Sequence, residues 1–182
     1  MAIKEAIVQS LRKLRKLHRF LGLSISVFLL ISALTGILLA LKKDVNIIQP
    51  PTKKSTADKS LPWLGVPEIS LIAQKALESI HPEQAGNSVD KIDVRPDKGI
   101  AKVIFENGNW EAQIDGRSGE VLSVAKRYSD WIESLHDGSI ISDGFKLFSM
   151  NYLGIGVVLL IFSGIWLWWG PKKIRFSRRR RE

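Results

Sequence analysis

Residues 20–41 read FLGLSISVFLLISALTGILLAL, 22 positions without a formal charge. As an α-helix rising about 1.5 Å per residue the stretch is about 33 Å long, enough to cross a hydrocarbon core of about 30 Å. It is predicted as a transmembrane helix, and the rest of the chain is placed by reference to it. A second uncharged run, Leu147 to Trp169, has Asn151 as its most polar member and ends in GIWLWWGPKK, where Trp166, Trp168 and Trp169 read as an interfacial aromatic belt. Two spans joined by a polar segment make an antiparallel transmembrane hairpin. The first exceeds the roughly 7 to 15 residues of a secretory h-region. No small-x-small cleavage site precedes the charged LKKD, so it is read as an uncleaved anchor.

Charge predicts the orientation. Residues 1–41 carry six Lys/Arg and one acid, residues 42–151 fourteen and sixteen, and residues 152–182 seven and one. Basic flanks resist translocation and are drawn to anionic lipid, so both termini are expected in the cytoplasm and the middle outside. The tail KKIRFSRRRRE lies directly beside a span with no folded module around it, and is read as a topology and lipid signal with no nucleic-acid partner. No cysteine occurs, which removes disulfides, thiolate metal sites and cysteine nucleophiles.

The order along the chain follows: a basic N-terminus (1–19), the first span (20–41), a linker (42–60), a folded domain (61–127), a juxtamembrane amphipathic segment (128–146), the second span (147–169) and a basic tail (170–182). The linker stretch NIIQPPTKKSTADKSLP, rich in Pro, Lys, Ser and Thr, is expected to be an extended tether. Ile69, Ile72, Ala73, Ala76, Leu77 and Ile80 then form one stripe of an amphipathic helix that Pro82 stops. Alternating segments follow: Ile92 and Val94, then Ala101, Val103 and Phe105, then Trp110, Ala112 and Ile114, each on one face at period two. ENGNW and DGRSGE supply glycine-bearing turns, and VLSVAK makes a fourth strand. The fold class is α+β: a two-span helical hairpin carrying a small extracytoplasmic domain of one helix against an antiparallel sheet.

Chemistry-bearing residues are few. The sixteen acids of the middle segment are scattered among lysines as on a solvated surface, and no phosphate-binding glycine loop occurs. No catalytic residue and no metal cluster is assigned, and a self-sufficient enzyme is not expected. His18 stands at the cytoplasmic mouth of span one and His136 just before the outer start of span two, while His81 precedes Pro82 as a helix C-cap. An imidazole at a membrane mouth is either an interfacial residue or a ligand.

The order of elements resembles a known family. WEAQIDGRSGEVLSV is similar to the closing strands of the PepSY domain. The flanking LHRFLG, the TG late in span one, LHDG before span two and SGIWLW at its end resemble the PepSY-associated transmembrane family. Soluble PepSY modules restrain metalloproteases and bind targets outside the cell, whereas larger transmembrane relatives include iron-siderophore reductases that carry haem on membrane histidines. The resemblance therefore implies a bacterial inner-membrane protein with a periplasmic domain. It names haem b as the candidate cofactor, with His18 and His136 as its candidate ligands. The two histidines are expected about 30 Å apart along the membrane normal, whereas the two axial ligands of one iron lie about 4 Å apart. One chain alone cannot make a bis-histidine site. The preferred function is a non-enzymatic binding, sensing or accessory subunit; the alternative is a haem-carrying electron-transfer subunit for iron or siderophore reduction. The expected partners are the lipid bilayer and either another membrane protein or a second copy of the chain.

Small residues recur every seven positions, Ser26, Ala33 and Ala40 on span one and Ser149, Gly156, Ser163 and Gly170 on span two. These are expected to be the faces along which the spans pack, with a left-handed crossing.

Overall fold

The computed structural model describes residues 2–179, with side chains described over 8–172. The chain forms two compact units, one of residues 1–36 with 134–182 and one of residues 37–133.

The first unit is a helical hairpin. Helix α1 (Ala2–Ala40) is continuous over 39 residues and so begins well before the predicted span. No Gly or Pro occurs ahead of Phe20, and Ala, Leu, Lys, Arg and Glu there favour helix. The last helix, α4 (Asp143–Arg179), runs on through Pro171, whereas the sequence suggests that the span ends at Trp169. Pro171 only withholds the donor that the Leu167 carbonyl would accept. Val8–Ala40 and Asp143–Lys172 are long and apolar enough to cross a membrane, with mean hydropathy 2.4 and 1.9.

The two helices meet along a repeating line. His18 Nδ1 lies 2.7 Å from Ser163 Oγ. A Cβ placed on Gly156 would stand 3.1 Å from Ile25, and one on Gly170 would stand 3.0 Å from Leu11. Partner numbers fall on α4 as they rise on α1, so the pair is antiparallel. On α4 the contact positions are Gly156, Ser163 and Gly170; Ser149, also buried, donates to the Asp137 carbonyl. On α1 the line is Leu11, His18, Ile25 and Ser32, one residue before the expected Ser26, Ala33 and Ala40, which are exposed. The shift has a packing reason. Small positions on α4 are holes, and large knobs such as Leu11 and Ile25 fill them, whereas small against small would leave voids.

The second unit is α+β. Helix α2 (Val66–Ile80) starts with Pro67 in its first turn and stops at His81, before a 3₁₀ turn at Pro82–Gln84. Strands β1 (Val89–Arg95), β2 (Ile100–Phe105), β3 (Trp110–Asp115) and β4 (Val121–Lys126) form an antiparallel meander in the order β1-β2-β3-β4. The β2–β3 turn holds Gly108 at φ 78° and Asn109 at φ 58°, left-handed values that Gly and Asn tolerate best. One sheet face packs Ala101, Val103, Phe105, Trp110, Ala112 and Ile114 against Ile69, Ala73 and Leu77 of α2. This is the face that the period-two pattern selects.

The other face differs from expectation. All six residues of β2 and all six of β3 are buried, including Lys102, Glu111, Gln113 and Asp115, which read as solvated charges and amide in the sequence. The stretch expected to be a free tether covers part of it. Gln113 Nε2 donates to the Pro51 carbonyl at 3.1 Å while its Oε1 accepts from Lys53 N at 2.8 Å. Ser55 N donates to Lys98 O, and the Ile48 carbonyl accepts from both Tyr128 N and Ser129 N at 2.9 Å. Backbone groups of residues 48–55 thus find partners on the sheet unit rather than in water, which holds the strap down.

Candidate functional site: two anchored imidazoles

Three histidines and one buried ionic cluster are the candidates. His81 is committed to packing: its ring lies 4.1 Å from that of Trp110 and its Nδ1 is 3.1 Å from Glu83. The ionic cluster is likewise closed on itself. Glu111 Oε1 accepts from Lys102 at 3.2 Å and Gln113 at 2.8 Å, and its Oε2 accepts from Arg127 at 2.8 Å. Arg127 continues to Asp130 at 2.8 Å, and Lys91 reaches Asp130 at 3.1 Å. Burial pushes the Lys102 ammonium below its ordinary range, against the pull of Glu111. For Asp130 burial raises the carboxyl, but Arg127 and Lys91 outweigh it and hold the group below the usual carboxylate value. Such a saturated network fixes structure and leaves no group for a substrate.

His18 and His136 are different. On α1, His18 directs Nδ1 at Ser163 Oγ across the hairpin. That hydroxyl donates its own proton to the Leu159 carbonyl at 2.6 Å, which leaves its oxygen to accept from Nδ1–H in the tautomer that completes this chain of bonds. At the end of helix α3 (Ser129–Asp137), His136 directs Nδ1 at Thr35 Oγ1 at 3.0 Å, with Ser32 Oγ at 3.5 Å. Thr35 Oγ1 in turn donates to the Ile31 carbonyl at 2.6 Å, an arrangement that the same tautomer completes. Each ring is half-buried and makes no hydrogen bond through Nε2 among the described residues.

The two sites repeat one construction. Each ring rests on a glycine that follows its hydroxyl residue: Cε1 of His136 would lie 3.5 Å from a Cβ on Gly36, and Cε1 of His18 would lie 3.5 Å from one on Gly164. A Cβ at either glycine would stand in ordinary van der Waals contact with the ring, so each imidazole lies close against the helix backbone. An apolar cavity of about 140 Å³ adjoins His136, walled by Phe28, Ile31, Leu135, Phe145 and Leu153. His18 and Thr35 are 17 residues apart on one helix, so the two imidazole levels are separated by about 26 Å. The structure therefore keeps the two histidines at opposite ends of the hairpin.

The sequence singled out the histidines and noted the TG and SG doublets, but did not join them. Thr35 was missed, and Ser163 was read only as a packing residue. The signal was a hydroxyl followed by glycine, opposite a histidine on an antiparallel span.

Two long apolar helices paired antiparallel, with an α+β unit inserted between them, define a two-span membrane protein. The family profile described as PepSY-associated TM region matches residues 15–182, nearly the entire chain, and the protein belongs to that family. No curated protein matches it.

Proposed function

We propose that the protein is an electron-transfer subunit of the bacterial inner membrane. Haem b would be held on Nε2 of His18 and of His136, each completed by a ligand from another chain, and would serve the reduction of iron or an iron-siderophore outside. The observation that carries this reading is the pair of Nδ1–H to hydroxyl bonds, which leave a lone pair on each Nε2. A histidine that ligates a metal characteristically donates its other ring N–H to a fixed acceptor, which sets tautomer and orientation. Among the described residues no three His, Asp or Glu converge as a metal-ion site would need, whereas haem requires only one or two imidazoles from the protein.

The chain's own residues do the positioning. Thr35 and Ser163 hold the rings, which lie against the helix backbone at Gly36 and Gly164, and Phe28, Ile31 and Phe145 wall the apolar cavity beside His136. Haem iron supplies reversible one-electron chemistry when bound. The basic ends argue for cytoplasmic termini, which puts His18 near the cytoplasmic surface and His136 near the periplasmic one. Two levels about 26 Å apart span most of the hydrocarbon core.

Membranes from cells making the protein, freed of other cytochromes by affinity purification in mild detergent, test this directly. A dithionite-reduced minus oxidised spectrum should show a b-type Soret and α band, and His18→Ala and His136→Ala should each remove about half of it. A colourless protein from haem-replete cells would overturn the proposal and leave a binding or accessory role for the α+β domain.

A further inference from the structure

We infer that the three arginines of α1, Arg12, Arg15 and Arg19, form a carboxylate-binding stripe that holds the propionates of a haem at His18. This deepens the histidine-ligand reading above and rests on it. Haem b carries two propionate carboxylates, and a guanidinium fork matches a carboxylate better than an ammonium does.

The stripe lies on the flank toward which the His18 ring leans. Cε1 of His18 stands by Gly164 of α4, and Leu160, about one turn earlier on the same side of α4, is 3.7 Å from a Cβ placed on Gly22 of α1. Gly22 is therefore displaced from the packed line of Leu11, His18 and Ile25 toward the side of α4 that carries Gly164. Arg19, Arg15 and Arg12 precede Gly22 at successive steps of three, four and three residues, the spacing of one helix face. All three fall within about 9 Å of helix rise of His18. The other flank of α1 is different: there Lys13 lines an open hollow with Leu14 and Leu17, and no arginine occurs.

The chain itself leaves these charges unanswered. Arg12, Arg15 and Arg19 are exposed and make no ion pair among the described residues. Residues 6–43 and 144–181 contain no Asp or Glu. Like charges three and four apart on a helix repel, so an anion on this flank relieves a cost that the hairpin carries alone. By contrast Lys146, beside the His136 level, is engaged by Asp137 at 2.6 Å. Phospholipid phosphates offer related chemistry, but they give no reason for the arginines to gather on the flank of the His18 ring rather than on that of Leu14 and Leu17.

The full chain carrying His136→Ala, in nanodiscs of neutral phosphatidylcholine, isolates the His18 level. Titrated at the Soret band, it should bind haem about 10-fold or more tighter than haem dimethyl ester, in which both carboxylates are masked. Arg15→Gln with Arg19→Gln should remove that preference by weakening haem alone, and an unchanged affinity for the ester would show the fold intact. Arg15→Lys with Arg19→Lys should restore part of the preference. Equal affinity for the two porphyrins in the parent, a preference that survives the Gln substitutions, or an equal loss of both porphyrins would overturn the stripe. So would Gln substitutions that change only the retention of phosphatidylglycerol in mixed nanodiscs, which would assign the arginines to lipid. A parent chain that binds neither porphyrin would instead overturn the ligand reading beneath.

Discussion

The two units place their polar side chains differently, in a buried ionic network in one and at half-buried imidazoles in the other. In the sheet unit Glu111 has both oxygens occupied, by Lys102, Gln113 and Arg127, in a site with no exposure at all. In the hairpin each imidazole has one nitrogen held by a hydroxyl and the other without a partner among the described residues. Low dielectric surroundings make an unused polar atom costly, so closed networks are the rule. The two half-buried rings stand outside any such network, and the proposed ligand role rests on that repeated arrangement beside a hydroxyl-glycine doublet. The charged cluster has its bonding capacity used up, whereas each imidazole keeps one ring nitrogen without a hydrogen bond among the described residues.

That contrast can be broken most forcefully on the ionic side. Glu111→Ala strands the buried Lys102 and leaves Arg127 with Asp130 alone, and should cost about 3 to 5 kcal/mol of the sheet unit's stability, read as a lowered midpoint in urea unfolding of the detergent-solubilised chain. Replacing the buried pair together, Lys102→Met with Glu111→Leu, should cost far less. Equal losses in both variants would mean that shape, not charge pairing, holds this face. Trp110→Ala, which empties the opposite face beside Phe105 and Val103, should cost a similar 3 to 5 kcal/mol. Faster proteolysis between Leu61 and Arg127 would register it, and unchanged resistance would remove Trp110 from the core.

On the hairpin side Thr35→Val and Ser163→Ala keep the helices but take away the acceptors for Nδ1–H. Each should weaken haem retention at its own level about 10- to 100-fold, measured by transfer to apomyoglobin. Retention equal to wild type would make the hydroxyls mere packing. The smallest effect concerns acid. Because the folded Asp130 carboxyl is held below its ordinary value, its contribution is present above the unfolded value near 4 and is lost as pH falls through the folded one. Thermal midpoints between pH 7 and pH 3 should therefore decline less steeply in Asp130→Asn, and parallel curves would show that Asp130 is not a principal acid-labile group.

Much of this was legible in the sequence where a period carried it. The absence of charge over residues 20–41 and 147–169 marks the spans, and the alternation of Val103, Phe105, Trp110 and Ala112 marks one sheet face. The same alternation is silent about whether the other face is covered, so Lys102 and Glu111 read as solvated although a strap from residues 48–55 crosses their sheet. Span one was harder for another reason. In an apolar helix hydrophobicity does not distinguish the packed side, and the heptad of Ser26, Ala33 and Ala40 is one residue away from that of Leu11, His18, Ile25 and Ser32. The correct line needed its partner, since Gly156 and Gly170 call for large knobs. The candidate site was half visible: the histidines stood out, while their anchors were hidden among ordinary membrane serines and threonines.

The most direct test of the central claim is an equilibrium titration of the purified, haem-free chain in nanodiscs with haem, followed at the Soret maximum. The reading of His18 and His136 as ligands predicts saturable binding with a defined Soret band, weakened when either histidine is replaced by alanine and lost when both are. A titration that rises without an end point, or one unchanged by both substitutions, would contradict it.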